Sequence, residues 1–169
     1  HPVWRNTIGG AVVVAAALIL QTQRYLGLSL PLLQESFNGQ AHAYDFIGKL
    51  FFTVLSLGAG YQGGEVTPLF EIGATLGAVL APLLHVSVPF LAGLGFIGVF
   101  SGATNTPIAC FVMGIELFGS QAAVYFFMIC LISFMCSGNS GIYSAHQVAV
   151  KIGILFLPIV KRIKEKTKV

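Results

Sequence analysis

The residues with the clearest chemical potential lie in one glycine-rich stretch that ends in a proline. Its sequence is Gly60-Tyr61-Gln62-Gly63-Gly64-Glu65-Val66-Thr67-Pro68. Glycines let the backbone turn tightly and approach a ligand closely, and a proline fits the first turn of a helix, where its missing N–H costs nothing. The backbone amides of residues 64 to 67 are then free donors at the positive end of a helix. This pattern predicts an anion site.

Two side chains in this stretch each allow two interpretations. An ionisable residue at membrane depth is costly and is functional by default, so Glu65 is a candidate pathway residue. The alternative is a solvated interfacial carboxylate that caps the helix. Thr67 is either a hydroxyl donor to the anion or an ordinary helix-start residue, and the local sequence does not separate the two.

Two further glycine-rich breaks occur later in the chain. Residues 100–107 place small side chains before Pro107, although a tight turn between two packed helices needs the same residues. Residues 138–144 place Tyr143 at a helix start, where its hydroxyl is a possible donor to the same anion; an interfacial aromatic anchor is the alternative. Between them, Glu116 lies in an apolar run, and we expect a structural hydrogen bond to backbone amides there rather than a transport role.

The elements that position these residues are strongly apolar. Hydrophobic residues make up 56% of the 169 residues and charged residues only 9%, with a mean hydropathy of +0.85. Soluble domains carry about 25% charged residues, so most of this surface must face lipid. We therefore predict an all-α integral membrane protein, one transmembrane domain over residues 1–169, with room for roughly five to seven full or partial spans.

The apolar segments are short and interrupted. They are predicted at residues 8–20, 46–57, 66–84, 88–100, 107–118 and 122–136, with a short helix inside the loop 27–42 and a final segment after residue 141. Irregular backbone at membrane depth survives only inside protein or beside a water-filled cavity. Short, broken helices therefore favour a transport pathway built from helix ends over a bundle of simple hairpins. Small residues in the first span (Gly9, Gly10 and 15–17) predict close helix packing.

Charge and cysteine content narrow the class further. Six of the nine basic residues follow position 150, which predicts a cytoplasmic C-terminus beside lipid headgroups rather than a nucleic-acid partner. Cys110, Cys130 and Cys136 have no metal-ligand spacing and are interpreted as small buried hydrophobic residues; no metal or other cofactor is expected. No Ser/His or paired-Asp arrangement suggests an enzyme. The first residues do not resemble a signal peptide, and we expect the chain to be a piece of something longer.

Three motifs resemble one family. Gly64-Glu65-Val66-Thr67-Pro68-Leu69-Phe70, followed by Gly73 and Gly77, resembles the second-half pore motif of the CLC family of chloride channels and anion/proton antiporters. Residues 101–107 and the run through Glu116 resemble the two helices that follow it. Ile142-Tyr143-Ser144-Ala145 is similar to the start of the family's last helix, whose Tyr lines the anion site.

The resemblance implies the second inverted repeat of a CLC-type fold, with short, tilted, broken helices; the first repeat and its gating Glu have no counterpart here. The Glu-Val-Thr-Pro string is most similar to the fluoride/proton antiporter branch, and it implies that Glu65 and Thr67 shape fluoride selectivity while Tyr143 closes the cytoplasmic side. The implied anion pathway consists of Gly63, Gly64, Glu65, Val66, Thr67 and Tyr143.

The same resemblance implies the partners: fluoride or chloride, protons, the lipid bilayer of the cell (inner) membrane, the missing N-terminal repeat, and a second copy of the complete subunit. Two alternatives stay open. One is a voltage-independent chloride channel or chloride/proton exchanger, and the other is a non-transporting membrane fragment or assembly subunit.

Overall fold

Every regular secondary-structure element in the described part of the protein is a helix. The computed structural model describes residues 2–61, 63–138 and 141–142. Its helices are α1 (Pro2–Ile19), α2 (Leu30–Phe37), α3 (Asp45–Gly58), α4 (Val66–Leu84), α5 (Val88–Thr104), α6 (Pro107–Phe118) and α7 (Ala123–Ser137), with a 3₁₀ turn at Ser120–Ala122 before α7. The predicted all-α fold is confirmed. The chain divides into two compact units, residues 1–100 and 101–169.

Helix α4 is the central element of the first unit and has the bounds that the sequence predicts. It starts directly after the glycine pair and ends where His85 adopts a left-handed backbone with φ 55°, which stops the hydrogen-bond ladder. Within the described residues, Val66–Leu84 and Ser120–Ser137 are the two helices long and apolar enough to cross a membrane. The other apolar helical stretches, Asn6–Ile19, Val88–Thr104 and Pro107–Phe118, are shorter, as the sequence predicts.

Helix α3 packs against α1 on one side and α4 on the other. A Cβ atom at Gly9 of α1 would overlap Ala59, which confirms the close packing expected of the small residues in α1. Two ionisable residues of α3, Asp45 and Lys49, are buried together with Phe52. Buried charges require partners, so this face of α3 must be satisfied by its neighbours.

Backbone-to-backbone contact joins α4 and α5 within the first unit. A Cβ atom at Gly73 would overlap the carbonyl of Gly95, and one at Gly77 would overlap the carbonyl of Leu91. Beside this contact the rings of Phe70 and Phe96 stack with centroids 3.9 Å apart. Such small-residue crossings are typical of helices packed in membranes, and they fix the axis of α4.

In the second unit, α6 packs against α7, and two predictions need correction. Helix α5 runs to Thr104 rather than ending at residue 100. Its small residues there contact α7, because the hydroxyl of Ser101 donates to the carbonyl of Cys130 at 3.2 Å. The break itself is at Asn105, which is left-handed with φ 56°. Cys110 and Cys130 are buried as predicted, whereas Cys136 is exposed.

Two other expectations are wrong. Glu116 is exposed on α6 and makes no hydrogen bond to a described residue, so the expected structural hydrogen bond is absent from this part of the chain. Helix α1 reaches back to Pro2 rather than starting at residue 8. A proline at the start of a helix costs no hydrogen bond, which allows this earlier start.

Candidate functional site

The start of α4 has the geometry that the glycine-rich stretch predicts. Glu65 is the N-cap residue, with φ −78° and ψ −21°, and its side chain makes no capping hydrogen bond. The first hydrogen bond of the helix is from the amide of Leu69 to the carbonyl of Glu65, at 3.4 Å. The amides of Glu65, Val66 and Thr67 therefore have no acceptor among the described residues. They are available to an anion at the positive end of the helix.

A cavity of about 310 Å³ opens beside this helix end. Three walls enclose it: the loop between α1 and α2, one face of α3, and the segment leading into α4. Its lining residues are Tyr25, Leu26, Gly27, Leu28, Lys49, Phe52, Thr53, Ser56, Leu57, Tyr61, Gly63, Gly64, Glu65 and Pro68. A Cβ atom at Gly63 or Gly64 would meet nothing within 4 Å, so the space beside the glycine pair is open to a ligand.

A buried ion pair joins the α3 wall to α4. The ammonium of Lys49 is 2.7 Å from a carboxylate oxygen of Glu71, one turn into α4, and both side chains are inaccessible to solvent. Neither oxygen of Glu71 has a hydrogen-bond partner in the described structure. Glu71 therefore acts as the counter-charge of Lys49. The hydrogen bonds of Lys49 go to other residues.

The hydrogen bonds of Lys49 go to the loop between α1 and α2. Its ammonium donates to the carbonyl of Gly27 at 2.8 Å and to the hydroxyl of Ser29 at 2.9 Å, with a longer bond of 3.3 Å to the carbonyl of Tyr25. Three donors thus meet three acceptors on one loop.

Asp45, one turn before Lys49 on α3, organises the other end of that loop. It accepts hydrogen bonds from the phenol of Tyr25 at 2.8 Å and from the amide of His42 at 2.7 Å. It also pairs with Arg24 at 3.2 Å, and Arg24 contacts Glu35 as well. Burial and the bond to Asp45 raise the pKa of the Tyr25 phenol well above its ordinary value. The loop is therefore attached to α3 at two positions one helical turn apart.

The structure brings together part of the predicted anion pathway. Gly63, Gly64 and Glu65 line the cavity. Val66 and Thr67 lie in the first turn of α4 and are half-buried; they are not in the cavity lining. Tyr143 lies outside the described residues, and the role predicted for it stays a prediction.

The chain immediately before Tyr143 is described and is anchored in the second unit. The amide of Ile142 donates to the carbonyl of Ala103 at 2.9 Å. Beside it, the hydroxyl of Ser137 donates to the side-chain oxygen of Asn105 at 2.8 Å. The break after α5 therefore holds the segment that leads to Tyr143, a role beyond that of a simple turn.

Lys49 is the polar residue of the site that sequence reasoning missed. The run 46–57 is so apolar that it is predicted as a spanning segment, with no role for its single Lys. The charged residues do indicate such a pair, because a Lys and a Glu in two adjacent apolar helices each need a partner of opposite charge. Glu71 is fully buried and faces the bundle.

Known proteins resemble this chain over most of its length. A family model for the voltage gated chloride channel matches residues 1–138. A chloride/fluoride channel protein of Pseudomonas syringae pv. tomato is 47% identical over 150 residues, which cover 85% of this chain and 33% of that protein. An uncharacterized protein of Methanocaldococcus jannaschii is 31% identical over 123 residues, or 71% of this chain and 31% of that protein.

A solved structure agrees with these sequence matches. The crystal structure of a CLC-type fluoride/proton antiporter matches with a TM-score of 0.81 at 41% identity, covering 85% of this chain and 37% of that one. The fold is thus that of a helical membrane protein with short, interrupted helices. The chain belongs to the voltage-gated chloride channel (CLC) family. It spans about a third of the length of the relatives it matches.

Proposed function

We propose that this chain is the C-terminal half of a CLC-type fluoride/proton antiporter subunit and supplies half of one anion pore. The observation that carries the proposal is the start of α4, where the open glycine pair and Glu65 line a cavity and the free amides of Val66 and Thr67 follow in the first helical turn. The names of the chloride/fluoride channel protein and of the fluoride/proton antiporter support the same choice of substrate.

Fluoride suits a site of this kind. The ion is small and strongly hydrated, so a selective pathway must replace its water with several good donors. The amides at the start of α4 and the hydroxyl of Thr67 are such donors, and Tyr143 would add a further hydroxyl. In the working transporter, anion and carboxylate compete for the same amides, which links the fluoride and proton gradients through one pathway. Glu65 is assigned to selectivity and not to the gating role of the first repeat.

The remaining parts of the proposal concern assembly. The first inverted repeat would complete the pore, and two complete subunits would form a homodimer in the cell membrane with the C-terminus in the cytoplasm. The domain is then one repeat over residues 1–169. The basic residues after position 150 favour this orientation.

The site is tested by comparing two carboxylates in a complete subunit that contains this chain. Glu65→Gln should slow fluoride efflux from liposomes, because it removes a charge from the cavity wall. Glu116→Gln is the matched control, since Glu116 is exposed on α6, and it should leave efflux unchanged. Full activity of Glu65→Gln would remove Glu65 from the site.

The alternatives give different results in the same liposomes. A chloride channel or chloride/proton exchanger would release chloride as fast as fluoride. A non-transporting fragment or assembly subunit would release neither ion, even when the upstream reading frame supplies the first repeat.

A further inference from the structure

The cavity beside α4 has one wall that secondary structure does not hold. This wall is the loop segment 25–28, which lines the cavity together with the glycine pair and Glu65. Gly27 is left-handed with φ 64°, and Ser29 is left-handed with φ 42°. Gly27 adopts this conformation without strain because it has no Cβ atom, and the carbonyl of Ser29 accepts the first hydrogen bonds of α2, from Leu32 and Leu33. The stretch before Ser29 has no such helical hydrogen bonds.

We propose that Lys49 is a positioning residue for anion recognition: through Tyr25, Gly27 and the adjoining Ser29 it holds the 25–28 wall in place, and Glu71 serves as its buried counter-charge. The inference rests on the proposed function, since it assigns that cavity to the transported anion. It adds a residue outside the glycine-rich motif to the determinants of selectivity.

The division of labour between the two residues follows from the contacts. The ammonium of Lys49 donates to Tyr25, Gly27 and Ser29. Glu71 lies 2.7 Å from the same ammonium as its ion-pair partner, and its carboxylate makes no hydrogen bond to the loop. Removing the charge of Glu71 therefore leaves the wall bonded, whereas removing the ammonium releases it.

The attachment of the loop through Asp45 does not replace its attachment through Lys49. Asp45 fixes the ring of Tyr25, which packs on the backbone of Gly48, so this end of the loop stays in place without Lys49. Within the described residues, Lys49 is the one donor to the carbonyl of Gly27 and to the hydroxyl of Ser29. The released part is therefore the stretch around Gly27, since Ser29 keeps its hydrogen bonds with α2 and with Leu26.

Transport by a complete subunit that contains this chain separates positioning from charge balance. Lys49→Met should raise the fluoride concentration for half-maximal transport about tenfold, the change expected when a charge-assisted hydrogen bond is lost, and should lower the fluoride-to-chloride ratio. Glu71→Gln should leave both quantities close to those of the parent protein.

The exchanged pair Lys49→Glu with Glu71→Lys is the decisive variant. It keeps a buried ion pair between α3 and α4, but the glutamate on α3 cannot donate to the loop. We expect it to behave like Lys49→Met in fluoride affinity and selectivity. If the exchanged pair restores both quantities while Glu71→Gln loses them, the pair is structural and the proposal is overturned.

A second measurement keeps the inference testable if the parent protein does not transport fluoride. Leu26 lies in the wall and is half-buried, so Leu26→Cys in a Cys136→Ser background reports the position of the loop. Maleimide labelling at that cysteine should be faster with Lys49→Met and with the exchanged pair than with Glu71→Gln. Equal labelling rates in all three would overturn the positioning role. Absent fluoride transport with unequal labelling would refute only the proposed function.

Discussion

The ion pair between Lys49 and Glu71 should respond unequally to the loss of either partner. Lys49→Met leaves the carboxylate of Glu71 buried with no hydrogen-bond partner in the described structure. Breaking a buried pair in this way costs about 3–5 kcal/mol of unfolding free energy. Glu71→Gln leaves an ammonium that still has three oxygen acceptors, so its cost should be smaller, about 1–3 kcal/mol.

The double variant completes the cycle. Lys49→Met with Glu71→Gln contains no buried charge, so it should be more stable than Lys49→Met alone, with a coupling of about 0.5–3 kcal/mol between the two sites. The assay is denaturant unfolding of the complete subunit in detergent, followed by the circular dichroism of its helices. Additive single effects, or a larger loss for Glu71→Gln than for Lys49→Met, would refute this reasoning.

Three other perturbations have defined outcomes. Gly73→Ala forces a Cβ atom against the backbone of α5 and should lower the unfolding free energy by about 1–3 kcal/mol. The control is Gly58→Ala, where a Cβ atom meets nothing within 4 Å. It should be neutral or slightly stabilising in the same denaturant titration. Because the pKa of Tyr25 is raised in the folded state, its contribution to stability is present at neutral pH and is lost as the pH rises above about 10. Tyr25→Phe should therefore flatten the fall in melting temperature at alkaline pH, and an unchanged slope would contradict this. Ser137→Ala removes the bond to Asn105 and should cost about 0.5–1.5 kcal/mol; no change in melting temperature would mean that this bond contributes nothing.

Local sequence signals predict the start of α4 well, because the glycine pair and Pro68 mark it. At its end, the structure has a left-handed residue, His85, directly after Leu84. The same reasoning predicts free amides at the start of the helix, and the amides of Glu65, Val66 and Thr67 have no acceptor among the described residues. The fold class follows from composition alone, because so few charges cannot cover a water-facing surface.

The incorrect predictions concern residues whose environment depends on tertiary packing. The small residues at 101–103 read as a helix break, but they continue α5 because α7 packs closely against them, as the bond from Ser101 to Cys130 indicates. Glu116 reads as buried because its neighbours in sequence are apolar, yet the face of α6 that carries it is exposed. Lys49 was missed because its acceptors lie in a loop 20 to 24 residues earlier in the chain.

Proton-driven fluoride movement is the most direct test of the proposed transport function. The complete subunit is reconstituted in liposomes with equal fluoride on both sides, an acidic exterior, and potassium with valinomycin to hold the membrane potential at zero. Fluoride should leave the vesicles against its developing gradient as protons enter, while protein-free liposomes show no such efflux and chloride moves far more slowly. Fluoride that fails to respond to the pH gradient, or chloride that moves equally fast, would contradict fluoride/proton antiport.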